Sequence, residues 1–183
     1  MLALVLTTSR MALLPLTRRM IARRLSEPDG FTMECDLGDG PVPILFPPDW
    51  PGDPIVVFPN HLTTLVADDS EVHGTYTAID RASSTAIGML GTKGGPDAHR
   101  SVEIGYGFNP DVWGNGYTTE AVAALVDHLA TIGLVMVTAE TATTNLASQR
   151  VLEKNGFARS GTGWDEEDGD LILWKKIVAE KNH

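Results

Sequence analysis

The stretch from Val102 to Val137 constrains this chain more than any other, because strand, loop, helix and strand patterns follow one another in it without a break. Val102–Phe108 alternates as a strand does. Thr118–Ile132 repeats Ala121, Leu125, Leu129 and Ile132 at helical spacing, and Gly133 is the residue type that ends such a helix. Leu134–Val137 is then wholly apolar, as a buried parallel strand is. Strand, helix, strand in that order is a βαβ unit, which needs a parallel pair and a right-handed crossover.

The rest adds strands and helices around it. A second helix, Leu146–Lys154, presents Leu146, Val151 and Leu152 and ends at Asn155-Gly156. Phe157–Gly163 and Leu171–Ile177 read as a hairpin around the acidic tip Trp164–Asp170. Gly74–Asp80 and Ala86–Leu90 read as two more strands, joined by the polar turn Arg81–Thr85. Near the start, Met11–Leu14 reads as a strand that Pro15 stops. Thr17 is placed to cap a helix over Arg18–Leu25, with Met20, Ile21 and Leu25 inward and Arg18, Arg19, Arg23 and Arg24 on a solvated face. The chain up to about Pro59 is otherwise Pro-rich and reads as irregular, with Phe46–Pro54 a stiffened loop. Ile55–Val66 is one helix or two short pieces. The fold class is α/β or α+β with a mixed sheet. At 183 residues the expectation is one domain, 1–183, since domains run roughly 100–200 residues.

Charge excludes some functions. Lys and Arg number 14 against 24 Asp and Glu, a formal charge of −10, which disfavours nucleic acid and anionic membrane surfaces as partners. The lone Cys35 has no internal disulfide partner and reads as an unreactive thiol in a loop, so a reducing, cytoplasmic setting is expected. His61, His73, His99, His128 and His183 show no paired metal-ligand spacing, and no metal site is expected. Met1–Leu6 is apolar but too short for a membrane span of about 20 residues, and no basic residues precede it as in a signal peptide.

Chemistry points to the loop Asn109–Tyr117. Gly114 and Gly116 stand two apart directly before a helix, where backbone N–H groups and the positive helix end favour an anion such as a pyrophosphate. A plain turn into a helix explains the same glycines. A P-loop would need Gly-Lys-Ser/Thr here, and a dinucleotide fingerprint a third glycine or alanine where Thr119 stands. Five segments come in fixed order: Glu103-Ile104-Gly105-Tyr106-Gly107-Phe108, Trp113-Gly114-Asn115-Gly116-Tyr117, Glu120-Ala121, Asn145-x-x-Ser148 and Asn155-Gly156-Phe157. Together they resemble the GNAT superfamily of acyl-CoA-dependent N-acyltransferases, in the branch of the ribosomal-protein N-terminal acetyltransferases. Thr8–Thr17 is similar to that branch's first strand and helix start. The likeness is strongest over residues 102–177 and weakest over 30–70.

That resemblance implies a single domain whose mostly antiparallel sheet has a central splayed parallel pair flanked by helices. It implies acetyl-CoA as cosubstrate, with pantetheine along Gly105–Phe108, including Gly107 and Phe108, and pyrophosphate on the amides of Trp113, Gly114, Asn115, Gly116, Tyr117 and Thr118. Trp113 and Tyr117 can equally be packing residues. Asp111 departs from the Gln or Arg that usually opens this loop. Asn145 would bind pantetheine or cap the following helix. Leu152 stands where many relatives carry an acidic Tyr, so the implied acid is Ser148; otherwise Ser148 is a helix serine bonded to the backbone. Glu103 would be the general base, or a salt-bridging carboxylate, and Glu120 is the alternative carboxylate.

The implied reaction is direct acetyl transfer to a primary amine, a protein N-terminus or a small molecule, in a ternary complex. Relatives are often homodimers. The alternative is a non-catalytic acyl-CoA sensor, which Leu152 keeps open. Trp50 and His61, in and beside the variable Leu45–Phe58 stretch, have packing roles, and the 165–170 tip is a solvated turn or an attractor of cationic acceptors.

Overall fold

Thr17 starts the first helix as its sequence position predicts. In the computed structural model, which describes residues 4–178, its extended backbone lets the hydroxyl accept the Met20 N–H at 3.3 Å, capping α1, Arg18–Ser26. Residues 1–3, part of the opening apolar run, and 179–183, with His183, lie outside the described residues. Met20 and Ile21 are buried, but Leu25 is exposed and Arg24 takes the third inward place. Arg24 is thus off the solvated face. Its guanidinium donates to the carbonyl oxygens of Trp50, Pro48 and Pro28, which is what a buried charge requires.

Two compact units divide the chain, residues 1–91 with 106–121, and residues 92–105 with 122–183. The first holds β1 (Leu6–Thr7), β2 (Met11–Thr17), β3 (Phe31–Asp36), β4 (Pro41–Phe46), β5 (Glu71–Asp80) and most of β6 (Thr85–Lys93). Order β1-β2-β5-β6 is antiparallel throughout, and β4 meets β6 through a parallel bridge between Leu45 and Thr85. Pro15 does not stop β2. It pairs with Tyr76 beyond the stretch that β1 covers, the edge position a strand proline tolerates.

The Pro-rich stretch is not irregular, because β3 and β4 form a hairpin in it. Phe31, Met33 and Cys35 are buried and alternate with exposed Thr32, Glu34 and Asp36. Cys35 therefore lies in a strand, not a loop. Phe31 stacks on Phe46 at 4.6 Å, and Trp50 meets Phe46 edge-on at 4.9 Å and donates its indole N–H to the Gly88 carbonyl. Two pieces follow, a 3-10 turn over Asp53–Val57 and α2, Phe58–Thr64, with Pro59 in the first turn, where its missing N–H costs nothing.

β7 (Ser101–Phe108) begins in the second unit and ends in the first, and α3 (Tyr117–Thr131) crosses back. In the second unit Ser101, Val102 and Glu103 pair in parallel with Met136, Val137 and Thr138 of β8 (Met136–Ala142). The strand begins later than the apolar run predicts. Leu134 and Val135 are a buried link instead, the Leu134 N–H closing α3 on Leu129 and the Val135 N–H donating to the Arg100 carbonyl. Ile132 points to solvent, since the helix has ended before it. After α4 (Leu146–Lys154), β9 (Ala158–Asp165) and β10 (Gly169–Ile177) form the expected hairpin, with β10 antiparallel to β8. Trp174 is buried there and donates to the Thr141 hydroxyl at 2.9 Å. The class is mixed α/β, mostly antiparallel, with the β7/β8 parallel pair flanked by helices.

Candidate active site

Asn109 fixes where the loop leaves β7. Its backbone N–H donates to the Ile87 carbonyl at 2.9 Å and its amide to the Ala86 carbonyl at 3.1 Å, while its own carbonyl accepts the Val112 N–H. A 3-10 turn over Pro110–Val112 follows. Trp113 is 63% exposed, so it is not a core residue, and its indole N–H donates to the Phe108 carbonyl at 2.7 Å. Gly114 and Gly116 have φ of 77° and 78°, the left-handed region that side chains disfavour. Space is not what requires Gly114, since no atom lies within 4 Å of an added Cβ. The Asn115 amide ties the loop to the Val112 and Trp113 carbonyls.

Glu120 donates its N–H to the Gly116 carbonyl at 3.1 Å, and the amides of Tyr117 and Thr118 precede that first helical bond. Exposed left-handed glycines lead into a helix of 15 residues, whose first amides lack helical acceptors and whose N-terminus carries the positive end of the dipole. Those residues fit a pyrophosphate. Basic side chains are not needed for that.

Behind the loop stands a cluster that sequence reasoning missed. Glu120 Oε1 accepts from the Thr8 hydroxyl (2.6 Å), the Ser9 hydroxyl and the Arg10 N–H (both 2.9 Å), and Oε2 accepts from Arg10 Nε (2.7 Å). Burial pushes its carboxyl up, but the bonds from Thr8, Arg10 and Ser9 outweigh that and hold it at about 2. Glu120 is therefore a structural carboxylate with both oxygens committed. Tyr117 donates its hydroxyl to Asp80 Oδ1 at 3.3 Å, and burial, then the Asp80 charge, pushes the phenol up. Only Thr8–Thr17 as a block, not these contacts, was visible in the sequence, because the partners are 110 residues apart.

Gly107 is glycine because the proline loop lies on it: an added Cβ would stand 2.3 Å from Pro54 Cδ. Phe108 is buried with its ring against Gly88, whose added Cβ would lie 2.6 Å from Phe108 Cγ.

The remaining candidates lie in the second unit. Glu103 Oε1 is ion-paired to Lys93 Nζ at 2.6 Å. Asn145 caps α4, its Oδ1 accepting the Ser148 N–H at 3.0 Å, and Ser148 itself is half-buried. Leu152 is fully buried core. Among the described residues no group of three or more His, Cys, Asp or Glu is placed to hold a metal, and no helix is long and apolar enough to cross a membrane.

Residues 58–158 match the acetyltransferase (GNAT) domain family. The chain belongs to the GNAT family. It is 33% identical over 102 residues to the uncharacterized N-acetyltransferase YoaA of Bacillus subtilis (strain 168), an alignment taking in 55% of this chain and 58% of YoaA. The chain thus spans little more than half the length of that curated relative. Among solved structures, the GNAT fold is shared with the ribosomal-protein-S5-alanine acetyltransferase of Vibrio fischeri (TM-score 0.63, 15% identity, covering 98% of this chain and 100% of that one). It is shared also with RimL, a ribosomal L7/L12 alpha-N-protein acetyltransferase in complex with coenzyme A (TM-score 0.63, 14% identity, 95% and 98% covered). Ribosomal-protein acetyltransferases, the branch the sequence resembles, are thus among its structural neighbours.

Proposed function

We propose that residues 1–183 form a single acetyl-CoA-dependent N-acetyltransferase domain that acetylates a primary amine, a protein N-terminus or a small molecule, by direct attack in a ternary complex. The observation that carries this is the Trp113–Thr118 loop of a GNAT chain, with left-handed Gly114 and Gly116 ahead of α3. The amides of Gly114, Asn115, Gly116, Tyr117 and Thr118 hold the pyrophosphate, whereas the Trp113 N–H, expected to join them, is committed to the Pro110 carbonyl at 3.2 Å. The Gly107–Phe108 backbone and Asn145 hold pantetheine. A cytoplasmic homodimer belongs to the same proposal, by family resemblance.

Acetyl-CoA supplies an activated acyl carbonyl and a thiolate leaving group. An ammonium has no lone pair, so Glu103 takes its proton, directly or through a water, before attack. As the tetrahedral adduct collapses, the Ser148 hydroxyl gives its proton to the departing sulfur and regains one from the adduct nitrogen, which loses its second proton to become the amide. Backbone N–H groups near Phe108 polarise the carbonyl. Buried Leu152 favours a second reading, an acyl-CoA sensor without turnover, because a leucine has no proton to give.

Thermal unfolding with and without acetyl-CoA tests the site. A ligand at ~100 times its Kd stabilises by about 2.7 kcal/mol, so the melting temperature should rise. An unchanged melting temperature at saturating acetyl-CoA contradicts both readings.

A further inference from the structure

We infer that Arg10 is a positioning residue for the phosphate loop, setting affinity for the pyrophosphate half of acetyl-CoA without taking part in acyl transfer; this rests on the acetyl-CoA reading above. The guanidinium is fixed on three sides. Nε donates to Glu120 Oε2 at 2.7 Å, Nη1 donates to the Asn115 carbonyl at 2.9 Å, and Cζ lies 4.1 Å from the Tyr117 ring centroid. Nη2 is 3.6 Å from where a Gly116 Cβ would stand. Glu120, held by Thr8, Ser9 and the Arg10 backbone, aims the fork.

The loop needs such a brace. No side chain packs within 4 Å of a Cβ at Gly114, and Trp113 is exposed, so hydrogen bonds rather than packing hold the shape. The Asn115 amide supplies two from inside the loop, and Arg10 supplies a charged one from outside. The Asn115 carbonyl and the Gly116 N–H belong to one peptide. A cation on the carbonyl polarises that peptide and makes the N–H a stronger donor to an anion. Lysine cannot replace this, because a point charge cannot bridge Glu120 and Asn115 while lying flat on Tyr117.

The test compares Arg10→Gln and Arg10→Lys with the unchanged chain, using CoA for binding and both acetyl-CoA and S-acetyl-pantetheine, which lacks the pyrophosphate, for turnover. Arg10→Gln should weaken CoA binding and raise the acetyl-CoA KM ~10–100-fold, the worth of one charge-assisted hydrogen bond. Its kcat at saturation should stay within about twofold, S-acetyl-pantetheine turnover should be unchanged, and Arg10→Lys should recover little. Unchanged CoA affinity, or an equal loss with S-acetyl-pantetheine, overturns the inference. If the unchanged chain does not bind CoA, the acetyl-CoA reading falls first and the inference with it. Should Arg10→Gln fail to fold, Thr8→Val loosens Glu120 while keeping Arg10. Weaker CoA binding with intact S-acetyl-pantetheine turnover then supports the brace, and unchanged CoA binding overturns it.

Discussion

Lys93 Nζ stands 2.6 Å from Glu103 Oε1, in a pair whose side chains are 57% and 29% exposed. A pair this open to water stabilises little, ~0–1 kcal/mol, so removing it should leave folding intact and isolate the role proposed for Glu103 as base. Glu103→Gln should keep its melting temperature nearly unchanged while kcat falls ~10²–10⁴-fold. A glutamine chain with the same pH–rate profile as the unchanged chain contradicts the assignment of Glu103 as base.

Acid should act on Glu120. Its carboxyl, about 2 when folded against an ordinary 4.5, binds its proton less readily than in the unfolded chain. Stability therefore rises with pH across that window: the contribution is complete above the unfolded value and is lost as pH falls toward 2. Urea unfolding at pH 6 and pH 3 should show the unchanged chain losing more stability than Glu120→Gln. Equal losses contradict the network.

Two glycines should resist alanine for reasons of space alone. Gly88→Ala would drive a Cβ to 2.6 Å from Phe108 Cγ, and Gly107→Ala to 2.3 Å from Pro54 Cδ. Each should cost about 1–3 kcal/mol, seen as a lower urea midpoint at unchanged slope. Gly95→Ala, with no atom within 4 Å, serves as the control and should stay within about 0.5 kcal/mol.

Cys35 should be inert. Burial, then the Glu34 charge, pushes its thiol up to about 11. Native protein at pH 8 should resist iodoacetamide and become labelled on unfolding, and Cys35→Ala should retain turnover. Rapid native labelling, or lost turnover in a folded alanine variant, contradicts a mechanism without a thiol nucleophile.

Much of the fold was legible because its signals are local. Thr17 caps α1, the βαβ pattern gives β7, α3 and β8, and paired glycines mark the loop. The β3/β4 hairpin was obscured by Pro41 and Pro43, although Phe31, Met33 and Cys35 alternate as a half-buried strand should. Pro15 misled in the same way, since a proline reads as a stop unless the strand edge it occupies is known. Arg24 was misplaced because its three carbonyl partners come together only in the fold. Arg10 was out of reach entirely: its partners Asn115 and Glu120 are more than 100 residues on, beyond any periodicity.

Release of free thiol from acetyl-CoA, with the acceptor weighed by mass spectrometry across a panel of N-terminal peptides and small amines, tests the central claim most directly. Acetyl transfer by this GNAT chain predicts one thiol released per acetyl group gained by an amine, abolished or strongly slowed in Glu103→Gln. Tight acetyl-CoA binding with no thiol released across the panel would contradict transfer and leave the sensor standing.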